Sequence, residues 1–185
     1  MATMNPAEVT VGAAAATGAI WVAPKGTALP EDATTALPST FVLLGFTSDA
    51  GVQISESRSQ ESIRAWEARK VVVNLTTEYT ENVSFTPIQC NEDTAKLTWG
   101  NDNVVVGQNG ELTCKHTGET LEPVVVVVET TPAAGIVKRY CGTYQLSERG
   151  DQTLDGTQVD GRQLTFEAIA DEHGVTTYEH TAFTA

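Results

Sequence analysis

Basic residues are scarce in this 185-residue chain: 11 Lys and Arg stand against 24 Asp and Glu, a formal net charge of −13. A surface of that sign repels phosphate, which argues against binding to nucleic acid or to an anionic bilayer. Long apolar runs are also missing. The longest, Val124 to Val128, falls far short of the roughly 20 residues that a membrane-spanning helix needs. Met1 to Gly18 contains no Lys or Arg, and its four-alanine stretch is too short and too weakly apolar for a secretory signal core. The sequence therefore predicts a protein made and kept in a cytoplasm. Cysteines number three, Cys90, Cys114 and Cys141, at unrelated spacings. That count argues against a disulfide framework and predicts reduced, buried thiols.

Catalytic signatures are absent too. No G-x-S-x-G, HExxH, Walker or dinucleotide-binding pattern occurs. His116, His173 and His180 stand in or beside turn-rich or terminal segments, outside any recognisable Ser/His/Asp motif. With 24 acids some carboxylates approach one another by chance, so proximity signals no glycosidase-like pair. Cys114-Lys115-His116 offers two metal ligands and His173 with His180 two more, but the closely spaced ligand pairs of a structural zinc site are missing. Glu148, Asp151, Asp155 and Asp160 lack the spacing of a calcium loop and read as a solvated turn. The expectation is a chain that is no enzyme, with no catalytic, cofactor-binding or metal residues.

What is present is β structure. Ile20 to Pro24 reads as a short strand and Phe41 to Phe46 as a buried one, with Thr27 to Pro38 as loop between them. Val71–Tyr79 and Val83–Cys90 flank Thr80-Glu81-Asn82, a plausible hairpin turn. Asn91 opens one helix, acidic Glu92 and Asp93 suit its positive end, and Gly100 stops it, with Ala95 and Trp99 sharing its buried face. Asn109-Gly110 marks a hairpin between Val104–Val106 and Glu111–Cys114. Five valines, Val124 to Val128, suit a strand covered on both faces. Strands follow at Ile136–Leu146, Leu164–Ala170 and Val175–Phe183, with a polar loop over Ser147–Gly161.

This order of eight to ten strands and one helix predicts a mainly β fold, a β-sandwich or barrel with one short flanking helix. Residues 1–18 read as a flexible N-terminal arm and 19–185 as a single domain. Within it, a polar loop at about 47–70 is unusually long. It carries Asp49, Val52, Ile54, Glu56, Arg58, Glu61, Ile63, Arg64 and Trp66. Trp21 and Trp99 read as core residues. Trp66 ends a polar stretch and reads as an anchor for that loop, either on its own domain or on a neighbour.

One stretch carries a family resemblance. Ile20-Trp21-Val22-Ala23-Pro24-Lys25-Gly26-Thr27-Ala28-Leu29-Pro30 is followed by Leu44-Gly45-Phe46-Thr47-Ser48-Asp49-Ala50-Gly51-Val52, then Ile63-Arg64-Ala65-Trp66 and Val83-Ser84-Phe85-Thr86-Pro87-Ile88. This order resembles the major tail proteins, or tail tube proteins, of siphophages that infect actinobacteria. The C-terminal half is similar more loosely, through Gly150-Asp151, Gln163 to Ile169 and a final strand. Where the family often has Glu before the helix, this chain has Gln89.

The resemblance implies a tail-tube β-sandwich that assembles into hexameric rings stacked as a hollow tube, through which phage DNA passes. The 47–70 segment corresponds by position to the family's stacking loop, disordered in the monomer and ordered on assembly. Implied partners are further copies of the chain, a tape measure protein in the lumen, tail terminator and tail-tip proteins, and transiting DNA without specific binding. The implied location is the virion tail, after synthesis in the host cytoplasm. The acidic balance suits a tube wall from which DNA must slide. Two other classes compete: a monomeric β-sandwich binding module, such as an adhesin or carbohydrate-binding domain, and an acidic hydrolase with perturbed carboxylates in a cleft.

Overall fold

The computed structural model describes residues 4, 9–15, 18–131, 135–157 and 159–183. Among these, ten strands and one α-helix follow one another. They are β1 Ile20–Pro24, β2 Val42–Leu43, β3 Thr47–Arg64, β4 Val71–Pro87, α1 Glu92–Trp99, β5 Val104–Val106, β6 Leu112–Cys114, β7 Val124–Thr130, β8 Ile136–Arg149, β9 Leu164–Ile169 and β10 Tyr178–Phe183. Eight strands form one antiparallel sheet in the order β2-β1-β7-β8-β9-β4-β3, with β10 also on β8. β5 and β6 form a separate hairpin closed at Asn109-Gly110, where Gly110 has a φ of 78°. The fold is mainly β with one short helix, as the sequence predicts.

β8 organises the sheet. One of its edges pairs with β7, from Thr130↔Lys138 to Val124↔Tyr144. The other edge is shared: β10 takes it up to Cys141 and β9 from Thr143 onward. The hand-over falls at Gly142, where a Cβ would sit 2.6 Å from the Thr176 carbonyl oxygen of the crossing chain. Only glycine admits that close approach.

The valine run of β7 alternates between two cores because successive strand residues face opposite sides. Val126 and Val128 join Ile20, Leu44, Val83, Phe85, Leu97, Tyr144, Leu164 and Phe166 on one face. Phe85 and Phe166 stack there with centroids 5.5 Å apart. Val125 and Val127 join Ala23, Phe41 and Cys141 on the other, against Trp21, Leu29, Leu37 and Tyr178. Each buried valine contributes about 1.5 kcal/mol or more. The second core is covered by the loop before β2. Buried Arg139 holds that loop, donating to the Asp32 and Thr35 carbonyls at 2.7 and 2.9 Å while pairing with Glu129.

Helix α1 starts as expected: Asn91 Oδ1 accepts from the Thr94 amide at 2.7 Å, and Gly100, at a φ of 90°, ends it. Asn91 Nδ2 also donates to the Leu44 carbonyl, which docks the helix on the sheet. The buried face differs from expectation. Leu97 and Thr98 are buried, whereas Ala95 and Trp99 are half-buried.

Two further corrections concern β3 and β4. The Thr80-Glu81-Asn82 turn does not exist, because β4 runs unbroken through it. The 47–70 segment is not an irregular loop: Thr47–Arg64 is a strand paired with β4, and the turn occupies residues 65–70. Ladder pairing uses backbone groups, so serines and glutamines that resemble loop composition form a strand once a partner lies alongside. Of the expected N-terminal arm, residues 1–3, 5–8 and 16–17 lie outside the described residues. Residues 9–15 are irregular, and the Ala13 carbonyl accepts from the Thr131 amide at 2.9 Å.

Candidate assembly interface

The β3–β4 hairpin leaves the body. β4 has β9 on its second edge only from Asn82 to Phe85, so the ribbon from there to its tip is two strands wide. From Asn82 to Val71 it extends about 35 Å at the usual strand rise. Isolated two-stranded ribbons are marginal in water. This one also exposes Ile63, Trp66, Val71, Val72, Val73, Leu75 and Tyr79.

The nine expected interface residues divide along the ribbon. Asp49 lies in the irregular stretch between the Thr47 and Val52 pairings. Val52 and Ile54 pack against the first core, opposite Phe85 and Val83, and so anchor the ribbon's base. Glu56 faces Glu81, which is buried and accepts from the Thr176 hydroxyl at 2.5 Å. Arg58 lies over its cross-strand partner Tyr79, 4.9 Å from the ring centroid. Glu61 faces Leu75, Ile63 faces Val73 and Arg64 faces Val71.

Cross-strand partners share a face, so Ile63, Val73 and Leu75 form one exposed apolar strip beside Glu61. The other face is mostly polar, with the Ser62 hydroxyl donating to Asn74 at 2.7 Å, and carries exposed Val72 beyond that pair. Register shifts beside Ser59 and Ile63 mark bulges, which increase twist and blunt an exposed edge.

The tip is a constrained turn. The Ala65 amide donates to the Lys70 carbonyl at 2.8 Å, and Arg64 Nη1 to the Arg69 carbonyl at 3.3 Å. Ala68 and Arg69 take φ values of 53° and 51°, a left-handed region costly for residues other than glycine. Trp66 projects from this turn 96% exposed, which rules out docking on its own domain. Sequence reasoning placed Val71, Val72, Val73 and Leu75 in a hairpin strand but missed that they are exposed, since local sequence does not show which strands lie alongside. It also left out the tip cations Arg69 and Lys70.

Trp99 stacks on His116 at 3.6 Å and carries Arg149 and Arg162 at 5.0 and 5.4 Å from its centroid. Only Cys141 of the three free thiols is buried, which pushes its pKa up to about 11; Cys90 is exposed and Cys114 half-buried, contrary to expectation. Gln89 accepts the Phe46 amide at 3.1 Å, a structural use of the position where a Glu is common. Among the described residues, no three His, Cys, Asp or Glu cluster to hold a metal, and no helix is long and apolar enough to cross a membrane.

A search of curated proteins finds no match. A family model described as phage tail tube protein matches residues 2–180, nearly the whole chain and all of the β3–β4 arm. The chain therefore belongs to the phage tail tube protein family, a structural component of the virion tail and not an enzyme.

Proposed function

We propose that this chain forms hexameric rings which stack into the hollow tail tube of a siphophage, with the β3–β4 arm as the element joining one ring to the next. Self-assembly into a tube and association with other tail components follow from the family. The observation that carries the finer reading is the arm itself. It is a ribbon reaching well past its last body strand, with an exposed apolar strip and a fully exposed Trp66 at its tip. Exposed apolar area of that kind, on a protein that assembles, marks a contact surface. Because the arm is already paired, joining rings requires docking of a formed ribbon rather than the ordering of a loop.

In the same reading, a tape measure protein occupies the lumen, terminator and tip proteins close the ends, and DNA passes without specific binding. The net charge of −13 supports that last point, since a wall of this sign repels phosphate.

The test shortens the arm. Replacing residues 60–77 by Asn-Gly joins Ser59 to Glu78, which already face each other, through a two-residue hairpin turn. Negative-stain microscopy of concentrated protein should show tubes for the native chain and only monomers or single rings for the variant, with an unchanged β-type circular dichroism spectrum. Full-length tubes from the shortened chain would overturn the arm's assignment. A native chain that stays monomeric even when seeded by tail tips would favour a binding module.

A further inference from the structure

We infer that the receptor for the arm tip is a groove at the opposite end of a second copy of this chain, between helix α1 and the meeting ends of β1 and β7. The inference rests on the stacking role proposed for the arm and identifies what the arm docks into.

Strand register sets the two features at opposite ends of the sheet. β4 runs from the tip at Val71 toward Pro87 and then into α1. It passes β9 at residues 82–85, and β9 in turn ends beside Thr143 of β8. Beyond Asn82 the arm therefore runs in the direction of the start of β8, where Ile136 pairs with Phe183. The groove lies back at the level of the arm's root, at the end of the body where β1 finishes, β7 begins and α1 packs: Pro24 pairs with Val124, Val124 with Tyr144 and Tyr144 with Ala168, one rung from the pairing of Asn82. A knob at one end and a socket at the other make a heterologous contact, which repeats without closing when the copies are related by translation along an axis.

The chemistry of the two surfaces matches. The groove holds about 480 Å³ and has an apolar floor that includes Val42, Leu121, Pro123 and Leu146. A Trp side chain buries on the order of 200 Å² and gains most where such a floor receives it. Asp93, Asp102 and Glu122 line the same groove. Of its two lysines, Lys96 is already paired with Glu92, and Lys25 has no carboxylate partner among the described residues. The tip reverses the sign of the molecule. Residues 64–70 carry Arg64, Arg69 and Lys70 against Glu67, a charge of +2. The rest of the chain, with eight basic and 23 acidic residues, holds −15. Concentrating three of 11 cations on the one projecting turn steers it to an acidic copy of the same protein. A second helix-side hollow, where Asp160 offsets Arg162, lacks the excess of acid that would draw a cationic tip.

Charge reversal in two places tests this. Arg69→Glu with Lys70→Glu reverses the tip, and Asp102→Lys with Glu122→Lys reverses the groove; all four side chains are solvent-facing. Each pair alone should abolish tubes in negative stain at low salt, and the four changes together should restore them. A photo-crosslinking amino acid at Trp66 in otherwise native tubes provides a second readout. Mass spectrometry should map its adducts to peptides containing Val42, residues 93–102 or residues 121–124. If the tip pair blocks tubes while the groove pair leaves them intact, or if adducts map elsewhere, the arm still stacks rings but the groove is not its receptor. If neither pair affects tubes and Trp66 forms no intersubunit adduct, the stacking reading falls with it.

Discussion

Glu129→Gln isolates the charge that balances the buried Arg139. Arg139, 3% exposed, donates through Nε and Nη2 to Glu129 Oε1 at 2.9 and 2.5 Å and through Nη1 and Nη2 to two loop carbonyls. Glutamine keeps an acceptor oxygen in nearly the same place but removes the paired carboxylate, leaving the cation only the weaker attraction of exposed Asp32. Breaking a buried pair by removing one partner costs about 3–5 kcal/mol. The Glu129 side chain retains 21% exposure and the two carbonyls stay bound, so the lower end, about 3 kcal/mol, is expected. For a chain of this length that corresponds to a fall in Tm of roughly 6–12 °C. The assay is a thermal melt followed by circular dichroism, at a concentration low enough to keep the protein unassembled, since assembly would add its own stabilisation. Arg139→Lys should fall comparably, because a single ammonium cannot reproduce the fork that bridges Glu129, Asp32 and Thr35. A shift below about 2 °C for Glu129→Gln, against the roughly 2–4 °C expected per kcal/mol, would refute the claim that this pair holds the loop over the second core.

Three further expectations follow from other parts of the sheet. Gly142→Ala places a Cβ 2.6 Å from the Thr176 carbonyl oxygen and 3.0 Å from the Tyr144 ring, so it should lower monomer stability in urea titration by about 1–3 kcal/mol; an unchanged midpoint would show that the crossing chain yields freely. Burial raises the Cys141 thiol to about 11, which makes its thiolate roughly 100-fold scarcer at pH 8 than an ordinary cysteine's. Exposed Cys90 should thus react first with a thiol reagent and Cys141 only on unfolding, an order that equal rates at all three would contradict. Asp171 is held below the usual carboxylate range, first by the Tyr178 hydroxyl and then by the Val175 amide. Its contribution is complete above the unfolded value of about 3.9 and is lost as pH falls through the lower folded value, so Asp171→Asn should flatten the acid limb of a Tm-against-pH profile. An identical acid limb in the variant would count against that account.

Much of the body was legible in order along the chain. The alternation of Leu164 and Phe166, the Asn91 cap and the Asn109-Gly110 turn each rest on neighbours a few residues away, and each appears where the pattern places it. The Val124–Val128 run reported a strand buried on both faces, because five adjacent apolar residues leave neither face polar. The region of the candidate interface was likewise visible as an unusual polar stretch ending in a tryptophan. Its form was not.

The reason is that a ribbon's partner lies elsewhere in the sequence. Nothing local in Ser55, Ser57, Ser59 or Ser62 distinguishes a strand from a loop until β4 lies beside it. The same blindness left the exposure of Val71, Val73 and Leu75 unread, since hydrophobicity records what a side chain prefers and not whether other strands arrive to cover it. By itself, then, the sequence determined the mainly β class, the helix, the two-faced central strand and the acidic balance. Tertiary structure alone decided that the polar stretch is one side of a projecting arm, that its valines are exposed, and that its cationic tip and the acidic groove lie at opposite ends. Those outcomes depend on register and on how far each strand outruns its neighbours, and both are properties of pairs of segments rather than of any one.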